Sequence, residues 1–231
     1  MNIIDSLTQS RDKFFHFVEV CNREYREGNA LMFYREIINQ HRKIANLKRL
    51  IASEKFLQRL YRTLEAWGMN KRGARLVDFA SMSKSIRNHV DYLKKLYRFR
   101  LEMLSTEDIQ EVLTLLRVVF CKLEIMNTRR RIVGVSKALH FLLPDLVMPI
   151  DSSNTMIAFY GYNRYGDNPE KEFNTYSDIF IKTHTITKSL NLTESDVDRN
   201  LWSCSVPKLI DNAIFGLFIE AKKQVKKSQN D

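Results

Sequence analysis

An all-α fold is what this sequence predicts, on two observations. Apolar residues recur three and four positions apart along most of the 231-residue chain, and only seven glycines and four prolines interrupt them. A 44% apolar share at this length suffices to bury a sizeable core. With no internal repeat, low-complexity linker or visible boundary, residues 1–231 read as one all-helical globular domain.

The elements follow in order. Phe14, Phe17, Val18, Cys21 and Tyr25, then Met32, Ile37, Ile38, Ile44, Leu47 and Ile51, form the stripes of two amphipathic helices broken near Gly28. A third helix is expected from about 54 to 67; it ends in the turn GMNKRGA, and a further helical stretch passes Leu76 and Phe79. Over 84–100, Ile86, Val90, Leu93 and Tyr97 fall on one face, while Lys84, Arg87, Lys94 and Arg98 make another face basic. Ser105 in STEDIQEV signals a helix start, and Ile109, Val112, Leu116, Val119, Phe120 and Leu123 carry its stripe. After Asp151 come a short helix with Met156, Ile157 and Phe159, the loop GYNRYGDNPEKEF, and a helix around 176–190. A cap in NLTESD and a last helix from near Pro207 complete the fold, and residues 222–231 read as a basic, solvated tail.

The formal charge of +10 and pI near 9.5 favour a polyanionic partner, nucleic acid or an anionic surface. Cys21, Cys121 and Cys204 are too dispersed for a disulfide framework or a CxxC pair, which points to a reducing, cytoplasmic setting. An acid precedes any apolar stretch of signal-peptide length, and nowhere do about 18 uncharged apolar residues run together, so no membrane association is expected. The histidines, His16, His41, His89, His140 and His184, are scattered without cysteine or carboxylate company, and no Walker loop, GxSxG elbow or dinucleotide fingerprint occurs. Neither a metal nor a cofactor is expected.

One stretch carries more than packing. In RIVGVSKALHFLLPDLVMPIDSS, residues 131–153, a glycine-centred turn opens a short apolar helix, and a lone acid, Asp151, follows Pro149 and Ile150. IVGVSKALHFLL followed by VMPIDSSNTMIAFYG is similar to the signature of the helix-hairpin-helix DNA glycosylases. FLQRLYRTLEAWGMNKRGARLVDF, at 56–79, resembles the early helix and turn from which that family draws its DNA-wedging loop, so the likeness covers roughly 56–161.

The resemblance implies a glycosylase-like helical domain with its hairpin near 120–145. It also implies a duplex DNA partner holding a modified base, gripped by a monomer beside the nucleoid. The backbone of Gly134, Val135 and Ser136 would hold a phosphate, with Arg129, Arg130 and Arg131 adding charge. Asp151 would act as an anion, stabilising the positive charge that develops on the sugar as the base leaves. It could equally serve only as the N-cap of the next helix. Ser136 stands where the family has a second glycine. Ala138 stands where its bifunctional members carry a Schiff-base lysine, with Lys137 one place early, so a monofunctional enzyme is expected.

Asn70 and Arg72 occupy the wedge, where Asn70 could fill the hole left by an extruded base or simply take the turn. Trp202, Tyr160 and Trp67 are candidate walls of a base pocket, Trp67 also reading as a core anchor alongside Met69. Asp211 would either pair with Lys208 at the surface or turn inward to support that pocket. Repair of damaged bases and attack on modified phage DNA are both open, and the rival reading is a non-catalytic helix-hairpin-helix module gripping DNA backbone, or an interaction protein that keeps the fold without the chemistry.

Overall fold

A computed structural model describes residues 3–24, 28–71, 73–198 and 202–227, without the side chains of 224–227. The described residues are helical apart from loops and one isolated bridge, Leu76 with Met126. The helices are α1 (Ile3–Thr8), α2 (Arg11–Glu24), α3 (Asn29–Ile44), α4 (Leu47–Ala52), α5 (Glu54–Ala66) and α6 (Phe79–Asn88). Then come α7 (Val90–Leu96), α8 (Thr106–Lys122), α9 (Ile132–Leu142), α10 (Ile157–Tyr160), α11 (Pro169–Ser189) and α12 (Val206–Lys227).

Short polar residues set most of the boundaries. Asn46, Ser53, Asp78 and Asn168 each accept a hydrogen bond from a first-turn amide of the helix that follows. Ser105 and Asp108 form a reciprocal capping box at α8. These caps explain where the expected boundaries shift. The region read as two helices over 11–51 holds three, because Asn46 starts α4 after Ala45 turns left-handed at φ 45°. The helix expected from 176 begins at Pro169, which takes the first position behind Asn168. The basic stretch 84–100 breaks at His89, and the NLTESD cap serves only a single turn, Glu194–Asp196.

α9 lies at the centre. Its sequence IVGVSKALHFL is apolar almost all round, which suits a helix enclosed by neighbours, and Ile132, Val135, Ala138, Leu139, Phe141 and Leu142 are fully buried. Each polar side chain on it has a partner. His140 Nε2 meets the Tyr34 hydroxyl at 2.9 Å, and Nδ1 meets the Val147 carbonyl at 2.6 Å. The neighbouring His41 bonds Phe141 O at 2.8 Å and the Tyr97 hydroxyl at 3.1 Å. Burial lowers the pKa of His41 to about 4 and of His140 to about 3, so the native state keeps both imidazoles neutral.

The sign of the resulting pH dependence is fixed. Above the unfolded pKa of about 6.5 neither state binds these protons, whereas below it only the unfolded chain does, so acid favours unfolding. The unfolding free energy is expected to fall by about 1.4 kcal/mol per pH unit for each histidine between about pH 6 and pH 4. Urea titrations at stepped pH would show it, and a flat profile through that window would contradict the buried-neutral assignment.

The longest helix, α12, crosses α2 at close range. A Cβ built on Gly216 would lie 1.8 Å from the backbone oxygen of Phe17, so glycine is what permits this approach. The His16–Glu220 pair at 2.8 Å joins the same two helices farther along.

Candidate active site

Asp151 is held by two independent devices. Ser136 Oγ, on the second turn of α9, accepts the Ile150 amide at 3.1 Å and donates to Val133 O at 3.0 Å, fixing the extended segment that delivers the acid. The carboxylate then caps a π-helical turn, Ser152–Met156. Its Oδ1 accepts from Ser153 N at 2.8 Å, Asn154 N at 3.1 Å and Asn154 Nδ2 at 2.9 Å. All three bonds fall on one oxygen, and Oδ2 takes part in none of them.

The half-buried Asp151 side chain borders a recess of about 320 Å³ whose walls include Trp67, Trp202, Leu31, Ile150 and Phe215. The two indoles stand 5.9 Å apart at 56°, and Tyr34 stacks on Trp202 at 6.1 Å. At the polar end lies the triplet Lys208, Asp211 and Asn212, all at most 5% exposed. Lys208 pairs with Asp211, donates to Asn212 Oδ1 at 2.7 Å, and sits 5.6 Å over Trp67 and 5.5 Å over Trp202. Asp211 therefore both pairs with Lys208 and turns inward. Burial raises its pKa, opposed by the Lys208 ammonium.

Lys137 projects from α9 into the same recess. Its Nζ donates to Trp67 O at 3.2 Å and lies 5.8 Å over the Trp67 ring. Burial lowers its pKa, while the charges of Asp151 and Asp211 pull it back up. Cys21 also lines the recess, but burial pushes its thiol up to about 12, so it is no nucleophile at neutral pH.

Beside the recess runs an open, basic cleft of about 790 Å³ bordered by Lys71, Arg129, Arg130, Val133 and Tyr165. Arg129 and Arg130 are exposed, and the Arg130 guanidinium stacks on Tyr165 at 4.7 Å. Trp67, Lys137 and Asp151 line both spaces and so stand where one opens into the other. No family model, curated protein or solved structure matches this chain. Among the described residues no group of three or more His, Cys, Asp or Glu is arranged to hold a metal, and no helix is long and apolar enough to cross a membrane.

Several expected site residues do other work. Val133–Ser136 form no turn; they lie inside α9, and the connection from α8 occupies 123–131. Gly134 is buried against Met126, whose Sδ would be 2.1 Å from an added Cβ. Val135 is fully buried and Ser136 spends its hydroxyl on Val133 and Ile150, so neither side chain faces a ligand. Amides at the start of α9 already have an anion. The buried Glu172 carboxylate accepts from Arg131 N at 2.9 and 3.1 Å and from Ile132 N at 3.4 Å, where a phosphate was expected.

Arg131 turns inward and donates to the carbonyls of Phe120 and Leu123, at 3.1 and 2.9 Å, closing the C-terminus of α8. Asn70 accepts the Leu76 amide at 2.9 Å and donates to Glu65 at 3.1 Å, so its amide closes its own loop. Tyr160 lies away from the recess, bonded to Asp178 at 2.6 Å beneath Lys182 and Arg164. Arg72 lies outside the described residues.

Lys208 and Asn212 were missed as site residues. Their signal was present, since positions 208, 211 and 212 share one face of a helix.

Proposed function

We propose that this protein is a DNA glycosylase: it admits an extruded, modified base into the tryptophan-lined recess and hydrolyses its N-glycosidic bond with Asp151. The observation that carries this reading is the junction itself. An acid, an amine and an indole stand where the tryptophan-lined recess meets a cleft bearing Lys71, Arg129 and Arg130. Duplex DNA along the cleft would have its backbone neutralised by these cations, and a base can reach the recess only by leaving the stack.

In the reaction, the bond between the base nitrogen and C1′ breaks and positive charge grows on the sugar ring. The Asp151 carboxylate stabilises that charge and orients a water whose oxygen bonds C1′; the water's proton passes through the carboxylate to the departing base. Lys137, its Nζ anchored on Trp67 O, places an ammonium beside the carboxylate and the leaving base. Hydrolysis without a covalent enzyme intermediate is the expectation, so borohydride should trap no adduct; an adduct lost in Lys137→Gln would shift the chemistry to amine attack.

Duplexes each carrying one altered base (uracil, hypoxanthine, oxidised or alkylated purine, hydroxymethylated or glucosylated cytosine) test the proposal through strand breaks after alkali. Breaks at one of these bases are expected. Tight binding without breaks across the set would favour the rival, a backbone-gripping module in which Asp151 serves only as the cap of the 152–156 turn. Under either reading Arg130→Ala should weaken binding similarly for all sequences and reduce the slope of log K against log salt by about one. An unchanged slope would remove Arg130 from the interface.

A further inference from the structure

We propose that the recess selects a neutral base whose inward edge bears a carbonyl, read by the Asn212 side-chain amide, over bases presenting an amine there or carrying positive charge. The inference rests on the base-excision reading only in taking the ligand to be a nucleobase.

Asn212 is 1% exposed and lines the recess. Its Oδ1 accepts from Lys208 Nζ at 2.7 Å, which fixes the amide's orientation, because the flipped amide would set donor against donor. Nδ2 is thereby left as a buried donor with no acceptor among the described residues. An unmet buried donor is a strong selector, since a ligand lacking the complementary acceptor leaves it unpaired in the complex as well. Lys208 adds a cation at this end and engages the Asp211 carboxylate, the other acceptor group there.

The remaining walls fix shape and charge. Indoles and the apolar side chains of Leu31, Ile150 and Phe215 suit a flat heterocycle. A cationic ring gains little there, because the Trp67 face already carries the Lys137 and Lys208 ammoniums at 5.8 and 5.6 Å and Trp202 carries Lys208. Once a small shift of the recess wall uncovers Nδ2, a ring with an inward carbonyl meets that donor; the same ring with an exocyclic amine meets it donor to donor.

The chain has two tryptophans, Trp67 and Trp202, and both border the recess, so intrinsic fluorescence reports its occupancy. Titration with hypoxanthine and adenine compares rings that differ in the carbonyl or amine at C6 and in the N1 proton that accompanies the carbonyl. Hypoxanthine should quench with at least about ten-fold tighter affinity. Asn212→Leu should bring the ratio close to one, and Asn212→Asp, which replaces the donor by an acceptor, should reverse it; melting temperatures check that each variant folds. Equal affinities in the wild type, a ratio surviving both substitutions, or no quenching by either base would overturn the inference. The duplex assay separates this from the parent reading. Strand breaks without a base preference leave excision standing and sink the selector; a preference without breaks does the reverse.

Discussion

Asp151→Asn is expected to slow base release by about 10³-fold, the size of effect seen when one preorganised electrostatic group is removed, while DNA affinity and folding stay close to wild type. The structure makes this substitution unusually clean. The asparagine keeps an oxygen for Ser153 N, Asn154 N and Asn154 Nδ2, so the cap on the 152–156 turn survives and only the negative charge is lost. Single-turnover cleavage of the responsive duplex, beside a binding titration at matched salt, reads the two effects separately. Undiminished cleavage by the Asn variant would reduce Asp151 to its capping role. Asp151→Ala then serves as the contrast, because it removes cap and charge together and should cost about 1 kcal/mol of stability besides activity.

The second large effect is on folding. Gly216→Ala would place a methyl group 1.8 Å from the Phe17 carbonyl, and since the atom met is backbone, no side chain can swing aside. α12 and α2 must separate, at an expected cost of about 3 kcal/mol or more, or roughly 6–12 °C in melting temperature for a chain of this size. The damage should reach the recess, because α12 carries Lys208, Asp211 and Asn212 while α2 supplies Cys21. Gly134→Ala is the control. Its methyl meets the flexible thioether of Met126, which can move, so a cost of about 1–2 kcal/mol is expected. If thermal melts rank the two variants equally, the helix crossing is not the tight point that its geometry implies.

Much of the fold was legible because helix periodicity and caps are local signals. Ser105 marked α8, and the apolar run after Pro207 marked α12. The boundaries that moved did so where one residue overruled a continuous pattern, as Asn46 does before α4 and His89 does between α6 and α7. The site was legible only in part. Asp151, Trp67, Trp202 and Lys137 were named from sequence and line one recess, whereas Tyr160 was named and lies elsewhere.

The phosphate-binding turn failed for a specific reason. Glycine at 134 serves contact with Met126, and the anion at the start of α9 is Glu172, forty residues downstream of Ile132. A carboxylate arriving from another helix leaves no mark near the motif it occupies. Asn212 was overlooked for a related reason: an amide on a helix face reads as solvated until the neighbours that enclose it are known.

The recess joins parts of the chain that are made at very different times. Leu31 and Trp67 come from its first third, and Trp202, Lys208 and Asn212 from its last stretch. Contacts between such distant segments are slow to close, because a long intervening loop must first be ordered. A nascent polypeptide still lacking α12 on the ribosome has neither the Asn212 amide donor nor the Lys208 ammonium that orients it. In the base-excision reading, the pocket that would receive the base is therefore complete only once α12 has packed against α2.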